Sequence, residues 1–265
     1  MPYLNQNGVR LYYEVHGPST GTPLILSHGY AATSQMWHGQ IVPLTKAGYR
    51  LIIWDMRGHG KTDYPSDQSA YSEAHTLADI NAILDKVCGP ETPAIVGGFS
   101  LGGYMSLAFY RIHPERVKAL LIIDTGPGFK KDAARDVWNK DAQGTAAGFE
   151  RNGLLPLKNG SPERSIATHR DATGLGRAAR GMLAQRNSAV IESLPNIQVP
   201  SLVVVGSDDK PFLAASDYMA KKIPGAKKAV IPRAGHAANL YQPEAFNEAV
   251  LSFLRHLNKG KNARL

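Results

Sequence analysis

The stretch Gly98-Phe99-Ser100-Leu101-Gly102-Gly103 decides how this 265-residue chain folds. It follows an apolar run at residues 94–96 and precedes a helical pattern over residues 104–111. A turn from a strand directly into a helix strains its central residue, so the residues two before and two after it must be small. The hydroxyl of Ser100 would stand at a helix N-terminus, where partial positive charge favours a developing oxyanion. We therefore predict that Ser100 is a nucleophile.

Short apolar runs alternate with helical patterns along most of the chain, and the runs are apolar on both faces, which is typical of strands buried between two helix layers. The runs lie at residues 24–26, 49–54, 94–96, 119–123, 202–205 and 228–231. The helical patterns lie at residues 34–47, 74–87, 101–113, 212–222 and 243–257. Before them, residues 3–15 alternate around Asn7-Gly8, a pair that favours a hairpin turn. This order predicts a doubly wound α/β fold.

The alternation stops between residues 129 and 196, which contain no convincing strand. Helical patterns cover residues 131–151 and 174–191 instead. We predict that residues 129–196 form a helical cap, inserted after the strand that ends near Asp124. The core domain would then consist of residues 1–128 and 197–265.

A serine hydroxyl needs a base to take its proton, and His236 is the best candidate. It follows a predicted strand by a short loop and precedes the last helix, which places it at the sheet edge where ligands bind. The histidine in turn needs a carboxylate that fixes its tautomer. We prefer Asp209, three residues beyond Gly206, and keep Asp208 and Asp124 as alternatives.

The tetrahedral intermediate of acyl transfer needs an oxyanion hole. We predict that the backbone N–H of Leu101 is one donor, since this residue follows the nucleophile. The second donor should come from the loop Ser27-His28-Gly29-Tyr30, where Gly29 allows a close approach, and we choose the N–H of Tyr30. His28 and His59 are expected to brace the structure rather than to act as bases.

The composition is that of a globular protein, with 43% hydrophobic and 20% charged residues. Thirty Lys and Arg against 22 Asp and Glu give a net charge of +8. Because this excess is spread along the chain, we expect no nucleic-acid partner.

The single Cys88 excludes an intrachain disulfide and fits a reducing compartment. The N-terminus lacks the basic and apolar regions of a signal peptide, and no stretch approaches the length of a transmembrane helix. We therefore expect a cytoplasmic monomer or homodimer with no membrane partner.

In their order along the chain, the motifs resemble those of the α/β-hydrolase superfamily. They are His28-Gly29-Tyr30, Asp55-Met56-Arg57-Gly58-His59-Gly60, the stretch around Ser100, Gly206 to Asp209, and Gly235-His236. The likeness covers nearly the whole chain and is weakest in the predicted cap. It implies an eight-stranded, mostly parallel sheet flanked by helices, a helical cap, and a Ser–Asp–His triad in that chain order.

Within the superfamily the chain is similar to small capped carboxylesterases, 3-oxoadipate enol-lactonases and cofactor-free haloperoxidases. The resemblance implies a serine hydrolase that cleaves small or medium acyl esters or lactones through an acyl-enzyme, with no metal or organic cofactor. The expected partner is a small-molecule ester.

Several alternatives stay open at this point. A carbon–carbon bond hydrolase of a vinylogous diketone also uses serine, although such enzymes often have Asn where this chain has Phe99. A perhydrolase or haloperoxidase side activity and a ligand receptor with slow turnover are the others. Epoxide hydrolases and haloalkane dehalogenases use an aspartate nucleophile, so Ser100 argues against both.

Apolar residues of the predicted cap could line an acyl pocket or simply pack the cap on the core. We take Phe99, Phe129 and Trp138 as candidate substrate-binding residues. Four arginines lie in the second half of the predicted cap: Arg170, Arg177, Arg180 and Arg186. An inward-facing arginine would favour an anionic substrate, whereas a solvated helix face would not.

Overall fold

The computed structural model describes residues 2–158 and 160–262, with side chains up to Leu257. One eight-stranded sheet runs through these residues in the order β1-β2-β4-β3-β5-β6-β7-β8. The strands are β1 (Tyr3–Gln6), β2 (Val9–His16), β3 (Thr22–Ser27), β4 (Tyr49–Trp54), β5 (Ala94–Phe99), β6 (Val117–Ile123), β7 (Ser201–Gly206) and β8 (Lys227–Ile231).

The sheet is mostly parallel, as predicted. Only β1 with β2 and β2 with β4 pair antiparallel, and the hairpin between β1 and β2 turns at Asn7 and Gly8, both at positive φ. The central strand β5 pairs in parallel with β3 and β6. Because β5, β6, β7 and β8 all run the same way, their carboxyl ends meet at one edge of the sheet.

Helices cover both faces of the sheet, and alternate residues of each strand point to opposite layers. In β3, Ile25 packs with helices α2 (Glu73–Cys88) and α3 (Leu101–Ile112), whereas Leu24 and Leu26 pack with α1 (His38–Lys46) and α11 (Pro243–Asn262). The helices outside the long β6–β7 connection are α1 (His38–Lys46), α2 (Glu73–Cys88), α3 (Leu101–Ile112), α9 (Lys210–Lys222), α10 (Ala238–Tyr241) and α11 (Pro243–Asn262). No helix of the described ranges is long and apolar enough to cross a bilayer.

The connection between β6 and β7 is helical. It contains α4 (Asp132–Asn152), α5 (Leu155–Lys158), α6 (Pro162–Ser165), α7 (Ala172–Ala178), a π-helical segment (Ala179–Leu183) and α8 (Ala189–Ser193). We call residues 129–196 the insertion. Its first predicted helix is confirmed as α4. Met1, Asn159 and residues 263–265 of the predicted domain ranges lie outside the described residues.

The single helix predicted over residues 174–191 is wrong, because the chain leaves the helical path after Leu183. Two side chains of α4 explain the break. Trp138 Nε1 donates to the carbonyl of Leu183 at 2.7 Å. The Asn139 amide accepts from the N–H of Gln185 at 2.8 Å and donates to its carbonyl at 3.0 Å. These bonds occupy backbone groups that a continuous helix would have paired internally.

Candidate active site

Ser100 lies in the sharp turn between β5 and α3, half-buried, with φ of 52° and ψ of −116°. Its N–H donates to the carbonyl of Ile123 at 2.9 Å, which joins the turn to the end of β6. Gly98 and Gly102 press on each other so closely that a Cβ on Gly98 would lie 2.4 Å from the Gly102 carbonyl carbon. The small residues flanking the serine are therefore required by this turn.

His236 and Asp209 meet at the same edge of the sheet. The imidazole Nδ1 of His236 donates to Asp209 Oδ2 at 2.9 Å. The Asp209 side chain is 3% exposed and the His236 side chain 28% exposed, so the carboxylate is enclosed while the ring stays accessible. Asp209 is the first of the three candidate acids, and the structure joins it to the candidate base.

The other two carboxylates lie elsewhere. Asp208 is exposed and accepts from the Ser207 hydroxyl at 3.1 Å. Asp124 is buried, and its two oxygens accept the N–H groups of Gly206 at 2.8 Å and Ala238 at 3.1 Å. Burial raises the pKa of Asp124 to about 7. Asp124 therefore links the backbone just before Asp209 to the backbone just after His236. Its role is to position these two residues.

Two phenylalanines hold the His236 ring. Its centroid lies 4.7 Å from that of Phe99 and 4.9 Å from that of Phe212, which is nearly parallel to it at 19°. Phe99 immediately precedes Ser100, so this packing brings the imidazole to the serine turn. The described residues include no hydrogen bond between His236 and the Ser100 hydroxyl, and such bonds are often loose before substrate binds.

The loop after β3 passes close to the serine turn. A Cβ on Gly29 would lie 2.6 Å from the Phe99 ring and 3.2 Å from Ser100 Cβ, so only glycine allows this approach. Leu101 begins α3, where N–H groups have no acceptor within the helix. Within residues 2–158 and 160–262, neither its N–H nor that of Tyr30 donates to a protein group. Both donors predicted for an oxyanion thus remain free.

Three buried histidines fix this loop. His28 Nδ1 donates to the Gly29 carbonyl at 2.7 Å, and His59 Nε2 accepts from the Ala31 N–H at 3.1 Å. His169, from the insertion, donates through Nε2 to the Ala31 carbonyl at 3.0 Å. Each ring also accepts or donates at its other nitrogen, so each has one donor and one acceptor and is neutral.

The insertion also holds Tyr30 directly. The Tyr30 hydroxyl donates to the carbonyl of Leu175 at 2.9 Å, and its ring lies 6.1 Å from that of Phe149 in an edge-on arrangement. Together with His169, these contacts make the position of the Tyr30 loop depend on the insertion.

A cavity of about 320 Å³ opens beside Ser100, between the sheet edge and the insertion. No charged side chain of the described residues lines it. Its lining residues are Ser100, Leu101, Tyr104, Thr125, Gly126, Pro127, Gly128, Phe129, Trp138, Met182, Leu183, Gln185, Pro211, Phe212 and Ala215. The candidate residues Phe129 and Trp138 therefore border this cavity. Phe99 does not, and instead packs against Gly29 and His236.

The arginines of the insertion are directed elsewhere. Arg170 stacks on the Tyr64 ring at 4.7 Å and reaches Asp63 at 3.8 Å. Arg177 donates to Thr173 at 3.3 Å, Arg180 forms an ion pair with Glu150, and Arg186 is exposed. None of the four lines the cavity beside Ser100, so that cavity offers no guanidinium to an anionic group.

Comparison with known proteins places this geometry in a family. The model of the alpha/beta hydrolase fold matches residues 22–170, more than half of the chain. The chain belongs to the α/β-hydrolase fold family. It is 28% identical, over 94% of its length and 96% of the relative's, to a Bacillus subtilis (strain 168) protein provisionally assigned as a 2-succinyl-6-hydroxy-2,4-cyclohexadiene-1-carboxylate synthase.

Two further relatives are similar over nearly their whole length. The 3-oxoadipate enol-lactonase 1 of Acinetobacter baylyi (strain ATCC 33305 / BD413 / ADP1) is 25% identical, with 96% of each chain covered. A solved structure of a thermophilic esterase from Thermogutta terrifontis superimposes with a TM-score of 0.81 at 25% identity, covering 96% of this chain and 97% of that one. The protein is thus a member of a family of hydrolases.

The buried histidines of this α/β hydrolase make its stability depend on pH. Burial lowers the pKa of His169 from 6.5 to about 4. The unfolded chain takes up a proton near pH 6.5 and the folded protein does not until about pH 4, so the free energy of unfolding falls as pH drops through this window. The unfolded-state pKa of 6.5 lies 1.5 pH units above pH 5. We therefore expect His169 alone to lower the free energy of unfolding by about 2 kcal/mol at pH 5 relative to pH 7.5.

His169→Gln tests this expectation, because glutamine keeps a donor and an acceptor but does not titrate. Urea unfolding at pH 7.5 and pH 5 should show a loss of stability smaller by about 2 kcal/mol in the variant than in the wild-type protein. The contribution of Asp124, whose raised pKa acts in the opposite direction, is present in both proteins and cancels. Equal losses in the two proteins would show that His169 does not remain neutral.

Sequence reasoning missed several residues of the α/β-hydrolase site. Those whose side chains matter most to the cavity are Tyr104, Thr125, Gln185 and Phe212. Phe212 lies three residues beyond Asp209, in the first turn of α9, and this spacing was an available signal. No sequence signal pointed to Gln185, because it follows the break after Leu183, which helical periodicity does not predict.

Proposed function

We propose that this α/β hydrolase is a serine carboxylesterase that hydrolyses uncharged small or medium acyl esters or lactones through an acyl-enzyme on Ser100. The observation that carries the proposal is the enclosed Asp209–His236 hydrogen bond, which Phe99 holds against the serine turn. A nucleophile, a base and an acid that orients the base are the groups that acyl transfer requires.

In the proposed reaction, His236 takes the proton of Ser100 as its Oγ attacks the ester carbonyl. The free N–H groups of Tyr30 and Leu101 donate to the oxyanion, and Asp209 stabilises the imidazolium through Nδ1. His236 then gives its proton to the departing alcohol. Water, deprotonated by the same ring, attacks the acyl-enzyme and releases the acid. The steps need only groups of this chain.

The lining of the cavity favours an uncharged acyl group. We assign this cavity to the acyl group, because His236, which must reach the leaving oxygen, is not one of its lining residues. Burying a carboxylate there without a cationic partner would cost several kcal/mol. For this reason we do not transfer to this chain the carboxylate compounds that appear in the names of the synthase and the enol-lactonase.

Two p-nitrophenyl esters of matched shape test the charge preference. The 4-methylpentanoate and the hemisuccinate differ only where two methyl groups replace two carboxylate oxygens. We expect kcat/KM to be at least about 100-fold higher for the 4-methylpentanoate, because only the hemisuccinate buries an unpaired charge.

The corresponding methyl succinate ester, which is uncharged, controls for the polarity of the group and should recover most of the lost rate. A hemisuccinate rate equal to that of the 4-methylpentanoate would contradict an uncharged acyl site. Repeated turnover on the neutral ester also distinguishes an esterase from a receptor, which would release one equivalent of p-nitrophenol and then stop.

A further inference from the structure

The cavity beside Ser100 has few polar side chains, and their hydrogen bonds can be followed individually. Those with nitrogen or oxygen donors are Ser100, Tyr104, Thr125, Trp138 and Gln185. The other lining residues offer only apolar side-chain atoms. A substrate oxygen held in this cavity can therefore accept a side-chain hydrogen bond only from a donor that the protein leaves free.

Three of these side chains already donate their one hydrogen within the protein. The Tyr104 hydroxyl donates to Glu73 Oε2 at 3.1 Å, and Trp138 Nε1 donates to the Leu183 carbonyl at 2.7 Å. Thr125 Oγ1 donates to the carbonyl of Ser100 at 2.7 Å. Apart from the attacking hydroxyl, this leaves the Gln185 amide as the only side-chain donor available among the described residues that line the cavity.

The Gln185 amide is held in one orientation. Its Oε1 accepts the N–H of Phe129 at 3.1 Å, and the reversed amide would set two donors against each other. The Asn139 side chain fixes the backbone of Gln185 at both its N–H and its carbonyl. Gln185 is only 9% exposed, so its position is set by these contacts.

The Nε2 atom of Gln185 has no acceptor among the described residues, although it has two hydrogens to donate. An ordered donor in the cavity that also holds the nucleophile, in a lining with few polar groups, is the arrangement that fixes substrate orientation in small-molecule sites.

We propose that Gln185 is a specificity-determining residue that donates from Nε2 to a second, uncharged oxygen on the acyl chain, so that the preferred substrates are oxo-, alkoxy- or hydroxy-substituted acyl esters. This inference rests on the proposed esterase function. It deepens that function, because an apolar cavity alone would favour a plain hydrocarbon acyl group.

The test uses isosteric pairs of p-nitrophenyl esters in which a ketone oxygen replaces a methyl branch at the third, fourth or fifth acyl carbon. In the wild-type protein we expect one of the three positions to favour the oxo ester over its methyl counterpart. In Gln185→Met, the ratio of kcat/KM for the oxo ester to kcat/KM for its methyl counterpart at that position should fall about tenfold. Methionine removes the amide donor and keeps the length of the side chain.

Gln185→Glu, assayed at a pH high enough to keep its carboxyl ionised, separates the donor from the packing, because a carboxylate oxygen still accepts the Phe129 N–H while the NH₂ group is removed. It should lose the oxo preference as Gln185→Met does. Gln143→Met is the matched control, since Gln143 is an exposed glutamine of the same insertion, and it should leave the ratio at the wild-type value.

Unchanged ratios at all three positions in an active Gln185→Met protein would overturn the inference while leaving the esterase proposal intact. Activity that survives Ser100→Ala would instead refute the esterase proposal. The two failures are therefore distinguishable in one set of proteins.

Discussion

Replacing Ser100 with alanine should lower kcat on a p-nitrophenyl ester by about 10⁵-fold or more. The reason is that no acyl-enzyme can form without the hydroxyl, whatever the remaining groups contribute. The initial burst of p-nitrophenol should disappear together with steady turnover. Steady-state and stopped-flow absorbance measurements on the same ester check both.

The fold should survive this change. The Ser100 hydroxyl makes no hydrogen bond among the described residues, and alanine meets the same positive φ as serine, so the thermal midpoint should stay within a few degrees. Ser106→Ala, which removes the buried hydroxyl that donates to the Gly102 carbonyl at 2.8 Å, is a matched control and should retain turnover. Substantial ester hydrolysis by a folded Ser100→Ala protein would contradict the assignment.

Changing Asp209 to asparagine should lower kcat by about 10⁴-fold with little change in KM. An amide at this position can present an N–H to His236 Nδ1, which stabilises the wrong tautomer and leaves Nε2 unable to take the proton of Ser100. The Asp209 side chain is 3% exposed, so no water easily replaces the lost acceptor. Michaelis–Menten parameters for the neutral ester provide the measurement.

Asp208→Asn is the neighbouring control, because this carboxylate is exposed and contacts only the Ser207 hydroxyl. It should change kcat by less than about twofold. A larger effect at Asp208 than at Asp209 would reverse the choice of acid. Asp124→Asn should mainly reduce stability, since one of the two N–H groups bound by Asp124 would lose its acceptor.

The sheet and its main helices could be predicted from sequence because their signals are local. A buried parallel strand such as β5 is a short apolar run, and the serine turn after it requires small residues at Gly98 and Gly102 for purely steric reasons. The insertion was predicted less well. Its second helix is broken after Leu183 by the side chains of Trp138 and Asn139, which are 45 and 46 residues away in the chain. Helical periodicity does not reveal such contacts.

The residues of the candidate site also differ in whether a local sequence signal could predict them. Asp209, His236 and Tyr30 follow strand ends, where the topology of a parallel sheet brings side chains together, so sequence alone could propose each as a candidate. His169 and Gln185 come from irregular segments of the insertion and reach the site only through tertiary hydrogen bonds. Phe99 was expected to contact substrate, but its position before the turn directs its ring toward His236.

Ser100 should carry the acyl group during turnover, and we expect that this acyl-enzyme can be trapped. The protein would be mixed with p-nitrophenyl 4-methylpentanoate, quenched in acid within the burst, and digested for mass spectrometry. We predict a single acyl adduct on the peptide that contains Ser100, absent from Ser100→Ala and formed far more slowly by His236→Ala. An active protein that carries the adduct on another residue, or none at any time in the burst, would contradict the account.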